Sequence, residues 1–332
     1  MKNKLNLIIG IVLGLVFLII WLNMVDWDIL LTYFQNYDLS LIPLFSIFYI
    51  LAYILRSLRW KIILNPEFKM SGIYAFKVFM TGMLVNYIIP VRAGELAKSI
   101  ILKDKNNVAI AKSLPSIFID KLTDLFPILL IIILIPLLTV KINQTLMIII
   151  ILLLLIFILL LLFVFFAVNH QQKALRILTV LQNIAPFAWR ARLQQFFADF
   201  VAGMGIMHGR IKEYILIYII TLAAVFSEAL YVYFVFKAFG AETTYFRILF
   251  GYTLMNLTYI LPTPPAQIGS NQFLWVLIFS FALSIDKNLT SAAVIFSHLI
   301  TSIWIFLCGI ISLLALKLRF YELVSRKNNE IR

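Results

Sequence analysis

The sequence predicts an all-α integral membrane protein. Three observations carry that reading: an apolar composition, uncharged runs long enough to span a bilayer, and two apolar stretches broken at matching places. Of 332 residues, 63% are hydrophobic and only 13% are charged, and mean hydropathy is +1.01. A soluble domain keeps about a quarter of its residues charged, so this surface is built for lipid. Met147–Phe166 carries no charge and is long enough to cross a ~30 Å hydrocarbon core. The single cysteine, Cys308, excludes a disulfide framework and a thiolate metal cluster. The net charge of +13 and pI ≈ 9.7 fit basic cytoplasmic loops over anionic lipid, not nucleic-acid binding.

The elements follow in order. Lys2 and Lys4 precede an apolar Leu5–Val25, which is too long for a signal-peptide core and lacks a small-residue cleavage site. It reads as a first span. Asp26, Asp28 and Asp38 follow it, with no Lys or Arg before Arg56, so the chain is expected to start inside and emerge outside. Leu41–Leu64 returns to the cytoplasm and ends in Arg56, Arg59, Trp60 and Lys61. Gly72–Leu102 is apolar but broken by Pro90, Arg92, Gly94 and Glu95, with Lys98, Lys103, Lys105 and Lys112 behind it. Both its ends read as cytoplasmic, which predicts a re-entrant hairpin; such backbone survives at membrane depth only if buried in protein or facing a wet cavity. Lys112–Val140 then crosses outward and Leu146–Val168 crosses back.

Asn169–Lys212 is the one long hydrophilic stretch. It mixes Lys173, Arg176, Arg190, Arg192, Arg210 and Lys212 with Phe187, Trp189, Phe196 and Phe197, a pattern that suits amphipathic helices on the inner leaflet or a solvated linker. Tyr214–Lys237 crosses outward. Ala241–Leu283 is a second apolar stretch, broken by Pro262, Pro264, Pro265 and Gly269, and Leu289–Leu316 crosses inward to Lys317, Arg319, Arg326 and Lys327. The outer side then holds only Lys141, Lys237, Arg247 and Lys287 as basic residues, in keeping with the positive-inside rule. The expected architecture is about six full spans plus two hairpins in a single transmembrane domain over 1–332, with both termini cytoplasmic, in a bacterial or archaeal plasma membrane.

An internal repeat organises these elements. Gly82-Met-Leu-Val-Asn86-Tyr-Ile-Ile-Pro90 matches Gly251-Tyr-Thr-Leu-Met-Asn256-Leu-Thr-Tyr-Ile-Leu-Pro262, and each is followed by a glycine, Gly94 or Gly269. Downstream, Ser-Ile-Phe-Ile-Asp120-Lys-Leu-Thr matches Ala-Val-Ile-Phe-Ser-His298-Leu-Ile-Thr. A first copy over 41–140 and a second over 214–316, separated by the linker 169–212, would each be helix–hairpin–helix. The charge topology makes them inverted. Inverted repeats with broken segments in matching positions point to a transporter with its site at their interface.

The chemistry sits at the breaks. After each proline a second arm starts near mid-membrane, with free N–H groups and the positive dipole end facing a cavity. That is an anion site, and Arg92 adds a bidentate phosphate grip. Asn86 and Asn256 can hydrogen-bond backbone groups freed at the breaks. Arg92, Glu95, Asp120, Lys121, Asp124 and Glu228 all fall in or near apolar segments. At a helix centre each costs ~2.5–3.5 kcal/mol on insertion scales, so they should face a pathway or one another. Asp120 and Asp124 share a helix face. The plain reading of these charges is mutual neutralisation, Arg92 with Glu95 and Lys121 with a nearby Asp. Glu228 has no evident local partner, and His298 stands where the first repeat has Asp120.

These residues resemble a known family. Asn86-x-x-x-Pro90-x-Arg92-x-Gly94-Glu95, then Asp120-Lys121-x-x-Asp124, and later Pro262-x-Pro-Pro265-Ala-Gln-Ile-Gly269 resemble the flippase-like transmembrane domain family, the membrane part of lysylphosphatidylglycerol synthases, also found as stand-alone proteins. The second hairpin departs from the family's Pro-Gly-Gly-x-Gly-x-x-Glu: it reads Pro265-Ala-Gln-Ile-Gly269-Ser-Asn-Gln272, with an amide where the family has an acid. The resemblance implies movement of an anionic phospholipid, or of a polyprenyl-phosphate-linked lipid, between leaflets. It also invites the label of a lysyltransferase. That activity belongs in the family to a separate soluble domain, and the chain stops at Arg332 soon after the last helix, so no enzyme, catalytic residue, metal or cofactor is expected. The expected partners are membrane lipids with an anionic headgroup, with a homo-oligomer left open. Two other classes compete. A prenyl or glycosyl transferase could hold Mg²⁺ on Asp120 and Asp124, although no HExxH, GxSxG or P-loop occurs. A carrier for a soluble anion would need a closed central pocket.

Overall fold

The structure is a computed structural model. It describes residues 2–65, 67–89, 93–127, 144–170, 209–258 and 264–320, with scattered positions between 172 and 202. Pro90, Arg92, Pro262, the 128–143 stretch and most of the 169–212 linker lie outside the described residues. The described residues form helices and no strand. In chain order these are α1 (Lys2–Met24), α2 (Trp27–Gln35), α3 (Ile42–Leu64), α4 (Gly72–Ile88), α5 (Ala93–Asn106), α6 (Ile110–Thr123), α7 (Gln144–Asn169), α8 (Ile211–Ala238), α9 (Tyr245–Thr258), α10 (Ser270–Trp275) and α11 (Lys287–Ala315). A π-helical turn, Val276–Ala282, prolongs α10.

Among the described residues three helices are long and apolar enough to cross a membrane, Leu39–Leu64, Ile211–Ala238 and Lys287–Ala315. A fourth span results if the pair Gly14–Met24 and Trp27–Gln35, bent by 84°, is counted as one. Local capping explains where these helices begin. Asp26 accepts from the Ile29 N–H at 3.2 Å, Ser71 from the Tyr74 N–H at 3.1 Å and Asp286 from the Leu289 N–H at 2.7 Å. Each satisfies one of the donors that a helix start leaves unpaired. Outward positions stay apolar: Ile47, Ile219, Leu299 and Ile311 are all exposed. In water, apolar stripes of this extent would be a liability; here they match lipid.

The packing is antiparallel and runs across the two halves. α3 lies along α8: the Asp38 N–H donates to the Ala238 carbonyl at 2.8 Å, Phe48 stacks on Phe234, and Ile63 meets Ile217 at the far end. α4 lies along α11, with Leu84 against Gly309 and Tyr87 against Ser302. α4 and α5 fold back on one another, because Tyr74 at one open end donates to Asn106 at the other, 2.5 Å away. Their approach is closest at two glycines: a Cβ on Gly94 would lie 1.8 Å from the Gly82 carbonyl oxygen. α9 and α10 fold back likewise, with Gly251 against Phe279 and Leu283. α1 covers the second pair, Phe17 stacking on Phe273 and Gly14 lying against Pro264 and Gly269. The open ends of the two helix pairs lie at opposite ends of the molecule. The α4–α5 end shares a cluster with Leu316 and Leu318, past the end of α11; the α9–α10 end shares one with Phe239, Ala241 and Ile285, near its start.

Candidate functional site

The closed ends of the two helix pairs meet. α4 touches the Pro265–Gln267 turn that precedes α10, and Asn86, from the first pair, lines the same cavity as Gln267, from the second. That cavity has a volume of about 340 Å³. Its lining includes the charged residues Arg56, Glu95, Lys121, Asp124 and Glu228 together with the aromatic and amide side chains of Tyr53, Tyr252, Trp275, Asn256 and Asn271.

Eight charged side chains form one network along and behind the cavity lining. Asp124 is its hub: Oδ1 accepts from Arg56 and from Arg59, each at 2.8 Å, and Oδ2 lies 3.4 Å from Lys121. Arg59 also donates through Nε to Asp120 at 2.8 Å and, less closely, to the Thr221 hydroxyl. Arg56 donates to Glu228 at 2.5 Å. Glu95 lies 2.7 Å from Lys98 and 3.1 Å from Lys121. Lys98, fully within the protein, faces the rings of Trp60 and Phe79 at 5.0 and 4.7 Å. The four cations and four anions balance. Asp120 is 0% exposed and Arg59 1%, so neither charge is tolerable without the other.

These contacts revise several expectations. Glu228 does have a partner: Arg56, which looked in sequence like part of a cytoplasmic helix end. Glu95 is engaged by Lys98, Lys121 and the Asn86 side chain; its pairing with Arg92 lies outside the described residues. Lys121 does pair with an Asp, Asp124, and Asp120 and Asp124 share a partner in Arg59. Sequence reading missed Arg56, Arg59 and Lys98 as members of the site. A charge count hints at them, since four acids inside apolar segments need four cations, more than Arg92 and Lys121 alone supply. Nothing in the sequence marks Tyr87, Tyr252, Gln267 or Asn271.

The two asparagines of the repeat differ. Asn86 is fully used: Oδ1 accepts from the Gly94 N–H at 2.7 Å, and Nδ2 donates to Glu95 at 3.1 Å. It ties a backbone donor at the break, as its type and position suggested. Asn256 is not the equivalent tie. Gln272 takes that part, its Oε1 accepting from the Gly269 N–H at 2.8 Å. Gly269 sits at φ +81°, where a Cβ would also meet the Gly14 carbonyl oxygen at 2.1 Å, so glycine is required there. Asn256 Nδ2 is buried without a hydrogen-bond partner among the described residues.

His298 joins the two helix pairs. Because the Gln272 oxygen is committed to Gly269, its NH₂ faces His298 Nδ1 at 3.2 Å. Nε2 lies 2.8 Å from the Tyr87 hydroxyl, and the ring also hydrogen-bonds the Ala266 backbone. Tyr87 hydrogen-bonds Ser302, which donates to the His298 carbonyl. Pro265 opens the turn before α10, and Gly94 lies in the first turn of α5.

The lysylphosphatidylglycerol synthase TM region family model matches residues 7–309. The chain belongs to this family. The match covers α1 through most of α11 and so includes every wall of the cavity. A relative named UPF0104 membrane protein, from Methanothermobacter thermautotrophicus, is 26% identical over 230 residues, which are 65% of this chain and 65% of that protein's length. No solved structure matches. The family and the apolar helices together make this a membrane protein.

Proposed function

We propose that this family member is a lipid translocase, moving an anionic phospholipid or a polyprenyl-phosphate-linked lipid between leaflets. The observation that carries the reading is the cavity between the two helix-pair tips, lined by charged, amide and aromatic side chains. Its size suits a headgroup and falls at the small end of ligand pockets. Sliding a headgroup through such a groove leaves the acyl tails in lipid, which avoids exposing each CH₂ to water at ~0.8 kcal/mol apiece. Membership of a family named for lysylphosphatidylglycerol synthases supports a lipid role.

The membrane arrangement belongs to the same proposal. The two helix pairs are re-entrant hairpins that enter from opposite faces and meet near mid-membrane, inside inverted repeats completed by about six full spans. The antiparallel pairing of α3 with α8 and of α4 with α11 supports this. The termini and the 169–212 linker are cytoplasmic, on the plasma membrane. We read the protein as a translocase and not as an enzyme: Asp120 and Asp124 are held by guanidinium groups, which favours an ion-pair role over holding Mg²⁺ on a diphosphate.

Arg92 grips the lipid phosphate in this account. It follows Pro90 in the sequence between α4 and α5, and its planar fork suits two phosphate oxygens at once. The test is leaflet exchange of a fluorescent anionic phospholipid, beside a zwitterionic one, in liposomes carrying matched amounts of each variant. Arg92→Lys keeps the charge and loses the fork, and is expected to fail nearly as badly as Arg92→Ala. Parent-like exchange by Arg92→Lys removes the clamp; parent protein that moves no lipid removes the translocase reading.

A further inference from the structure

We infer that Asn256 and Asn271 form a subsite for the uncharged, hydroxyl-bearing part of the lipid headgroup, whether glycerol or a sugar. The inference deepens the translocase reading and rests on it for the statement that the ligand is a lipid.

Two unpaired amide atoms carry it. Asn256 is 6% exposed, and its Nδ2 has no hydrogen-bond partner among the described residues; the same holds for Asn271 Oδ1. Both residues line the cavity. A buried amide atom left unpaired is disfavoured, and each instance in a folded protein calls for a reason. The repeat supplies a control for the structural explanation. Asn86, at the matching position, has both its amide atoms engaged in holding its own hairpin. In the second hairpin Gln272 takes the tie to the glycine N–H, which leaves the NH₂ of Asn256 available to a ligand.

The chemistry offered is one donor and one acceptor. A hydroxyl group both donates and accepts, so a headgroup with hydroxyls fits this pair. The eight-charge network adds no net charge to select an ion, because its four cations and four anions are matched among themselves. Tyr53, Tyr252 and Trp275, which also line the cavity, offer apolar faces for the C–H side of a polyol or sugar ring. A phosphate ester would then lie toward the α4–α5 pair, with the hydroxyl-bearing part toward α9 and α10.

Native mass spectrometry of the full chain tests this without requiring transport. The protein is offered four lipids with identical tails: phosphatidylglycerol, glucosyl diacylglycerol, phosphatidylethanolamine and phosphatidic acid. Retention of one or both hydroxyl-bearing lipids about fivefold above the other two, the worth of a single neutral hydrogen bond, is the expected result. Which of the two is retained identifies the source of the hydroxyls. Asn256→Leu is expected to erase the preference while melting at or above the parent temperature, since it removes a donor that has no partner among the described residues. Asn86→Leu, in contrast, lowers the melting temperature because it unties Gly94 and Glu95. Equal retention of all four lipids, or an unchanged preference in Asn256→Leu, overturns the subsite. A protein that keeps the preference but fails to exchange lipid between leaflets overturns the translocase reading and leaves the subsite standing.

Discussion

At the residue scale, the energetics of the site are those of paired buried charge. Asp124 receives three cations, so Asp124→Asn leaves Arg56, Arg59 and Lys121 one charge short in a medium that solvates none of them well. Uncompensated buried charge of this kind costs about 3–5 kcal/mol; thermal melting in detergent is expected to show a clear fall, and an unchanged melting temperature would mean that the hub is dispensable. Arg56 and Glu228 allow a cleaner comparison. Glu228→Leu alone should destabilise, and Arg56→Met added to it should recover part of the loss, because the double change removes both charges of the contact. Additive losses would argue that the two side chains act separately. Sequence alone exposed the acids of this network and not its arginines. Intramembrane carboxylates stand out against apolar neighbours, whereas Arg56 and Arg59 sit near the end of a span, where basic residues are ordinary and gave no reason to be turned inward.

At the element scale, the helix pairs depend on glycine contact. Gly94→Ala would place a methyl 1.8 Å from the Gly82 carbonyl oxygen. Since the clash is with backbone, no side chain can move aside, and α4 must part from α5. The expected outcome is loss of at least the ~1–3 kcal/mol typical of overpacking, with the Tyr74–Asn106 contact at the open end weakened. Gly72→Ala, which meets only a leucine methyl at 3.3 Å, serves as the tolerated control in the same melting series. His298→Phe keeps a ring but removes the bonds to both Tyr87 and Gln272, so it should slow leaflet exchange while Thr301, one turn on, keeps its place. Parent-like exchange would show that the two tips need no tie. The shared Gly–Asn–Pro–Gly order made both breaks legible in the sequence. The exchange of roles between Asn256 and Gln272 was not, because it turns on which amide oxygen reaches the Gly269 N–H, a matter of three-dimensional placement that spacing does not specify.

At the scale of the whole molecule, the all-α membrane class followed directly from composition and from the length of uncharged runs. Pairing between halves did not. Repeat periodicity implied two similar units, but that α3 packs on α8 and α4 on α11 depends on complementary surfaces such as Leu84 against Gly309. Topology gives a prediction at this scale. In a Cys308→Ala background, cysteines placed at positions 180 and 195 should react only with reagent that reaches the cytoplasm; labelling from outside would contradict the inverted arrangement. The central claim is that lipid passes through the cavity between the hairpin tips, and reversible blockade of that cavity tests it most directly. Thr301 lines the cavity, so Thr301→Cys in the Cys308→Ala background supplies a thiol there, and Ile73→Cys, at a position 73% exposed, supplies one outside. Modification with a bulky methanethiosulfonate should stop leaflet exchange in the Thr301→Cys protein, reduction should restore it, and the Ile73→Cys protein should be unaffected. Exchange that continues at the parent rate with position 301 fully modified would contradict the account.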